Sequence, residues 1–367
     1  MKIECLIEKL RDAVSRVEKT INKNSNLPIL SSILFTASGK TLTIKATNLE
    51  VGVEISIPVK IHSEGIVATP AVTLQQVLFN IKSDKILTIS EENGVLVISV
   101  ESTKTVLKTI PYEEFPIIPR IEKPESVFKL KTKDLCLGIK SVIFSASLSS
   151  IKPEQGSVYI YHKDNSLVFV ATDSFRLAER KITLKTNNQI PPLLIPYKNC
   201  LEILRVLDGV ESEIELSVSK NQINITFPDY FIVSRLVDGT FPDYEQIIPK
   251  EITTTVTFLK QDLIDILKTL TIFSDKFNQL TFLINKNQNT TTLETKNSDV
   301  GEGQGSLKTK VLGESLTINF NQKYIQDVFQ SISDESVNFA FGGLHKPLVI
   351  EGAANKNFRY LVMPMNR

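Results

Sequence analysis

Side chains able to carry bond chemistry are few and scattered in this sequence. The three histidines, His62, His162 and His345, stand alone, with no second His or Cys at the spacing a zinc site needs. Cys5, Cys136 and Cys200 lie far apart and are odd in number, so they read as thiols of a reducing compartment, not as a disulfide framework. Gly301-Glu302-Gly303-Gln304-Gly305 has the glycines of a phosphate loop, but no Lys-Ser/Thr pair follows and no clear helix starts there. It reads as a flexible connection between strands. Asp173-Ser174 with His162 offers parts of a hydrolase, yet nothing completes a nucleophile elbow or an oxyanion hole. The residues therefore predict no catalytic centre, metal or cofactor.

Binding chemistry is better represented. The stretch Ala171-Thr172-Asp173-Ser174-Phe175-Arg176-Leu177 follows the apolar run Leu167 to Val170 and combines a polar turn, an aromatic ring and a cation. The tail Val362-Met363-Pro364-Met365 brings two flexible, polarizable thioethers, which suit a surface that accepts several short peptides. On residue type alone, the same tail also reads as the buried end of a strand.

The elements that position these stretches follow from a repeat. The chain has 367 residues, 42% of them apolar, enough for two or three soluble domains. No apolar run approaches the ~20 residues of a membrane span, and the start has no charged region followed by an apolar core, so a cytoplasmic protein is expected. Net charge is +1, so any binding of polyanions must come from local sorting of Lys and Arg. Leu10, Leu135 and Leu263 sit at matching places in three strand-to-helix starts. Thr69-Pro70, Ile195-Pro196 and Phe320-Asn321 open three further helices, with apolar residues at spacings of three and four. Thr47-Asn48, Thr172-Asp173 and Lys296-Asn297 end three alternating strands, and Phe115-Pro116 matches Phe241-Pro242. Each unit reads as two helices and roughly eight short strands, an α+β domain with its helices packed on antiparallel sheet. The boundaries give modules 1–122, 127–250 and 255–367. An open arc of such modules leaves sheet edges free, and two arcs joined head to tail remove them. Lys104 to Lys108 and Ile272-Phe273 are candidates for that joint, and plain intradomain core is an equal reading of both. On the residues alone, a repeat scaffold that never meets DNA and a hydrolase at the Asp173 turn stay open beside a ring.

The sequence resembles the bacterial sliding clamps, the β subunits of DNA polymerase III. The resemblance rests on Leu27-Pro28-Ile29-Leu30, Ala171 to Ala178, Leu236-Val237-Asp238-Gly239-Thr240-Phe241-Pro242-Asp243-Tyr244 and the tail Val362 to Met365, which together span all three units. It implies a non-enzymatic processivity factor whose two chains form a six-domain ring around double-stranded DNA, without sequence specificity. It implies as partners the replicative polymerase α subunit, the clamp-loader complex, and other polymerases and repair proteins that carry a short linear motif. The implied motif groove is lined by Thr172, Phe175, Arg176, Leu177, Pro242, Ile247, Tyr324, Pro347, Val362, Met363, Pro364 and Met365. Implied DNA contacts are Lys23, Asn24, Ser149, Lys152 and Lys198, and implied dimer contacts are Thr105, Leu107, Ile272 and Phe273. The sequence departs from the family at Asn24, where Arg is frequent, at Pro153 and Glu154, where some members have tyrosines, and at Phe175, where many have His. Basic residues predicted on helices, among them Lys9, Arg11, Arg16, Lys133, Lys140, Arg205, Lys260 and Lys268, are further candidates for weak phosphate contact.

Overall fold

The computed structural model describes residues 1–21, 27–81, 86–149, 151–184 and 190–365. The first module comprises β1 (Lys2–Leu6), α1 (Ile7–Glu18), β2 (Ser32–Ser38), β3 (Thr41–Thr47), β4 (Val51–Pro58), β5 (Lys60–Ser63), β6 (Gly65–Pro70), α2 (Ala71–Asn80), β7 (Ile86–Glu92), β8 (Val95–Val100) and β9 (Thr103–Lys108). The second comprises β10 (Ser126–Lys131), α3 (Thr132–Val142), β11 (Ser157–Lys163), β12 (Ser166–Thr172), β13 (Arg176–Thr183), β14 (Leu193–Pro196), α4 (Tyr197–Val206), β15 (Glu213–Ser219), β16 (Gln222–Phe227) and β17 (Tyr230–Arg235). The third comprises β18 (Thr254–Leu259), α5 (Lys260–Leu270), β19 (Gln279–Asn285), β20 (Thr290–Asn297), β21 (Gly301–Lys308), β22 (Lys310–Gly313), β23 (Leu316–Asn321), α6 (Gln322–Asp327), β24 (Ser336–Phe341), β25 (Leu348–Gly352) and β26 (Phe358–Val362).

The periodicities read from the sequence become these elements directly. On β3, Leu42, Ile44 and Ala46 are buried, while Thr43 and Lys45 face the other side, as the two-residue period of a strand requires. On α1, Ile7, Leu10, Val14 and Val17 form one buried stripe. Pro70 closes β6 and caps α2, one position earlier than the first helical turn expected for it. Asn321 caps α6 by accepting from the amides of Lys323 and Tyr324.

The chain forms two compact units. One gathers β1 to β10, α1, α2, α4 from Lys198 onward and β15 to β17; the other gathers β11 to β14, β18 to β26, α5 and α6, with the chain crossing between them in α3. This division cuts across the modules because two seams pair strands of different modules. Within the first unit, β17 pairs antiparallel with β4 (Ile232 opposite Val53), giving the sheet order β10-β15-β16-β17-β4-β3-β2-β6 beside a second sheet β5-β1-β7-β8-β9. Within the second, β13 pairs with β26 (Leu177 opposite Leu361), giving β14-β11-β12-β13-β26-β25-β24-β18-β22 beside β21-β20-β19-β23.

Each seam is crossed by the segment that follows a module's last strand. At the first, Ile118 packs on Phe231 and Val233 and occupies the space beside Gly52, where a Cβ would lie 2.9 Å from it. Arg120 stacks 3.9 Å over Phe231 and bridges to Glu54 at 2.6 Å. At the second, Phe241 and Tyr244 pack with Val168, Val170, Leu177 and Leu361. There the Tyr244 hydroxyl donates to the buried Glu179, and Tyr161 is 2.7 Å from the same hydroxyl.

Candidate functional site

The turn between β12 and β13 is held by its own side chains. Asp173 Oδ1 accepts from the amides of Phe175 and Arg176, both at 3.0 Å, and Thr172 Oγ1 donates to the Arg176 carbonyl at 2.7 Å. These bonds hold Ser174 at φ 77°, a left-handed conformation that costs a non-glycine residue ~1 kcal/mol. The same construction recurs one module earlier, where Asn48 Oδ1 accepts from Glu50 and Val51 and Leu49 stands at φ 75°. The turn thereby presents Phe175, 62% exposed, at the surface of the second unit.

Arg176 is fixed from two sides. Its Nε donates to Asp173 Oδ2 at 2.9 Å and its Nη1 to Asp327 Oδ2 at 2.6 Å, while the guanidinium lies 4.4 Å from the Tyr324 ring. Burial works against its charge, yet Tyr360, Asp327 and Asp173 keep its pKa above the ordinary guanidinium value. The tail closes the other side. Val362 pairs with Arg176 and with Leu348, the Met363 amide donates to the Phe175 carbonyl at 2.8 Å, and the Met365 amide donates to the Asn319 carbonyl at 2.9 Å.

The predicted groove residues fall into three layers. Phe175, Pro242, Ile247 and Met363 are exposed; Arg176, Tyr324, Pro364 and Met365 are half-buried; Thr172, Leu177, Pro347 and Val362 are buried. The last four therefore back the surface and do not line it: β12, β13 and β26 turn Thr172, Leu177 and Val362 into the sheet packing, and Pro347 is buried just before β25. Leu177, 1% exposed, is covered by Phe241 and Tyr244. Sequence reading missed Asp327 as the partner of Arg176, and Tyr360, whose hydroxyl donates to the Tyr324 carbonyl at 3.0 Å. Only Asp173 had a local signal, its place in the turn.

Other predicted residues fare unevenly. Lys23 and Asn24 lie outside the described residues. Ser149 and Lys152 are exposed on one loop of the second unit, and Lys198 is exposed at the start of α4 in the first unit. On that loop Ser149 Oγ accepts from Ile151 at 3.3 Å. Two helix cations expected to meet phosphate are committed elsewhere: Arg11 donates to the carbonyls of Leu78 and Ile81, and Arg16 to those of Val206 and Asp208. They satisfy helix ends. Of the dimer candidates, Thr105 is half-buried and Leu107, 7% exposed, faces its own module, because alternation on β9 leaves Val106 outside. Ile272 is exposed, whereas Phe273 packs against Gly301 and Gly303. The Gly301 to Gly305 stretch, expected as a loose connection, is edge strand β21. Its glycines are needed because Phe273 and Ile266 occupy the space where Cβ atoms of Gly303 and Gly305 would sit, at 2.6 and 2.8 Å.

Among the described residues no group of His, Cys, Asp and Glu could hold a metal, and no helix is long and apolar enough to cross a membrane. His62 lies 2.7 Å from Glu4. Its hydrogen bond, with that of Lys60, holds the Glu4 carboxyl below its usual range.

Comparison with known proteins decides what this arrangement belongs to. The descriptions "DNA polymerase III beta subunit, N-terminal domain", "central domain" and "C-terminal domain" match residues 1–119, 129–243 and 245–366. The chain belongs to the DNA polymerase III beta subunit family. It has the three-domain clamp fold and is a non-catalytic processivity factor. Two relatives named "Beta sliding clamp" illustrate the likeness. That of Synechococcus elongatus is 25% identical over 100% of this chain and 99% of its own, and that of Rickettsia felis is 27% identical over 100% and 98%. The crystal structure of the Thermotoga maritima beta subunit matches with TM-score 0.93 at 29% identity, covering 100% of this chain and 99% of that one. The Bacillus subtilis sliding clamp matches in fold with TM-score 0.94 at 21% identity, covering 100% and 99%.

Proposed function

We propose that two copies of this chain close a ring around double-stranded DNA and tether the replicative polymerase to it, as a DNA sliding clamp of the cytoplasm. One observation carries this reading. Successive modules are joined by pairing β4 with β17 and β13 with β26, and the corresponding strands at the remaining ends, β21 and β9, are unpaired edges. The tight hairpin of Val100 and Thr103 corresponds to that of Phe227 and Tyr230, so the β4–β17 register carries over to a second copy. It sets Thr103 opposite Gly305, Lys104 opposite Gln304 and Val106 opposite Glu302. Two such joints close a ring, cover both edges and place lysines of one strand beside a carboxylate of the other. Modules 1–122, 127–250 and 255–367 are then six similar blocks. Enclosure replaces affinity, so the chain needs no basic excess; Ser149, Lys152 and Lys198, with Lys23 and Asn24, are the proposed weak phosphate contacts. The surface of Phe175, Pro242, Ile247 and Met363, backed by Leu177 and Val362, is the proposed seat for a linear motif of the polymerase, the clamp loader and repair proteins.

A cysteine pair tests the joint. The variant Lys104→Cys with Gln304→Cys should oxidise to a covalent dimer of twice 41.1 kDa. Monomer alone under the same oxidation would reject this register.

A further inference from the structure

Two exposed residues of the proposed motif seat, Pro242 and Ile247, come from the segment between β17 and β18. The backbone of this segment is tied to the sheet at its ends. The Val237 amide donates to the Leu194 carbonyl and the Thr253 amide to the Phe341 carbonyl, both at 2.9 Å. Between those ends the single turn Glu245–Ile247 bonds within the segment, the Ile247 amide to the Tyr244 carbonyl and the Ile248 amide to the Glu245 carbonyl. Side chains therefore decide where Pro242 and Ile247 stand.

Aromatic and polar side chains reach from the segment to the sheet. Phe241 stacks on Tyr159, with ring centroids 4.7 Å apart, and Glu245 pairs with Lys163 at the surface. Tyr244, between Pro242 and Ile247, donates its hydroxyl to Glu179 of β13, and the Tyr161 hydroxyl of β11 lies 2.7 Å from it. Stacked rings tolerate sliding past one another and an exposed ion pair is weak, whereas a hydrogen bond onto a carboxylate is directional. Tyr244 and Glu179 are each 5% exposed, so this bond is made away from water. The first seam uses a carboxylate at the equivalent point. Its covering segment is held on Glu54 of β4 by Arg120 at 2.6 Å, while Ile118, in the place of Tyr244, packs on Phe231 and Val233. The anchor there is a cation whose side chain is 57% exposed; at the second seam it is a buried phenol.

We propose that Tyr244, anchored on Glu179, is the positioning residue of the motif seat. The inference rests on the seat assigned above. Tyr244 touches no ligand; its bond to β13 fixes the register of the covering segment on the sheet, and so sets Pro242 and Ile247 against Phe175, whose turn opens the same strand, and Met363, whose amide meets the Phe175 carbonyl. Both walls of the seat are thereby referred to β13. The pair Glu179 and Tyr244 lies wholly in the second unit, so the effect does not depend on ring closure.

The probe is the purified replicative polymerase α subunit, titrated against the full-length protein by biolayer interferometry. Tyr244→Phe should weaken binding at least about fivefold and speed hydrogen exchange of the Ile247 and Ile248 amides. Glu179→Gln, which keeps an acceptor oxygen for the hydroxyl, should bind within about twofold of the wild type. The double variant Tyr244→Phe with Glu179→Leu leaves no buried carboxylate without its donor, so its melting temperature should return towards that of the wild type. Its binding should stay as weak as that of Tyr244→Phe, because the register is still unset. Affinity recovered together with melting temperature would show that the pair serves stability alone and would overturn the proposal. Wild-type affinity in Tyr244→Phe, or an equal loss in Glu179→Gln, would overturn it as well. A wild type that does not bind the α subunit would remove the seat and this inference with it, a failure told apart because it precedes any variant.

Discussion

Arg176 and Asp327 meet at 2.6 Å although 151 residues separate them. The equivalent places one module earlier hold Val51 and Glu202. There the turn is bridged to the helix by Asn48, whose amide donates to both oxygens of Glu202 at 3.0 and 2.9 Å. One turn geometry thus serves two seams with different electrostatics, a charge-paired clamp at one and a carboxylate held by a neutral amide at the other.

Removing the cation should therefore matter at the second seam. Arg176→Ala leaves Asp173 and Asp327 without their shared partner and empties the space beside Tyr324. A loss of about 1–3 kcal/mol in urea unfolding followed by circular dichroism is expected. An unchanged midpoint would show that the clamp contributes nothing.

The first seam should respond to pH. Burial pushes the Glu202 carboxyl up to about 7, against the Asn48 hydrogen bond and against Arg205 and Lys198 on its own helix, with Glu50 on the facing turn adding to the rise. A folded-state pKa above the unfolded value means that the folded chain binds the extra proton. This contribution to stability is complete below about pH 4.5 and is lost as pH rises through about 7. The melting temperature of the wild type should fall across that window relative to Glu202→Gln. Parallel pH profiles would contradict the assignment.

Edge strand β21 depends on lacking side chains. Gly303→Ala sets a Cβ 2.6 Å from the Phe273 ring, and a cost of about 1–3 kcal/mol is expected, read as a lower melting temperature. Under the ring reading, dimer dissociation should also accelerate. A variant as stable as the wild type would mean that Phe273 moves away freely.

The tail should separate binding from assembly. Deleting Met363 to Arg367 removes the amide that meets the Phe175 carbonyl and one wall of the proposed seat. At least tenfold weaker polymerase stimulation is expected, with the native mass unchanged. Full stimulation by the truncated chain would show that the motif docks elsewhere.

Much of this is legible in the sequence. The Asp173 turn announces itself because its bonds are local, and the three-fold repeat because Leu, Pro and Asx positions recur in register. What stayed hidden depends on distance or register. Asp327 is far from Arg176 in sequence. The burial of Leu107 beside the exposure of Val106 turns on which face of β9 meets the core. The glycines of β21 read as a loose connection because glycine is rare in strands, and only the packing of Phe273 and Ile266 shows why they are there. Phe115-Pro116 and Phe241-Pro242 are visible as markers, but only the packing shows that Phe115 sits on Ile29, Leu30 and Ala68 of its own module while Phe241 covers the second seam.

The central claim is enclosure, and retention on DNA measures it most directly. Protein loaded onto nicked circular DNA should remain bound in about 1 M salt, where phosphate contacts are screened, and should be lost once the circle is cut. Equal loss from circular and linear DNA at that salt would contradict the account.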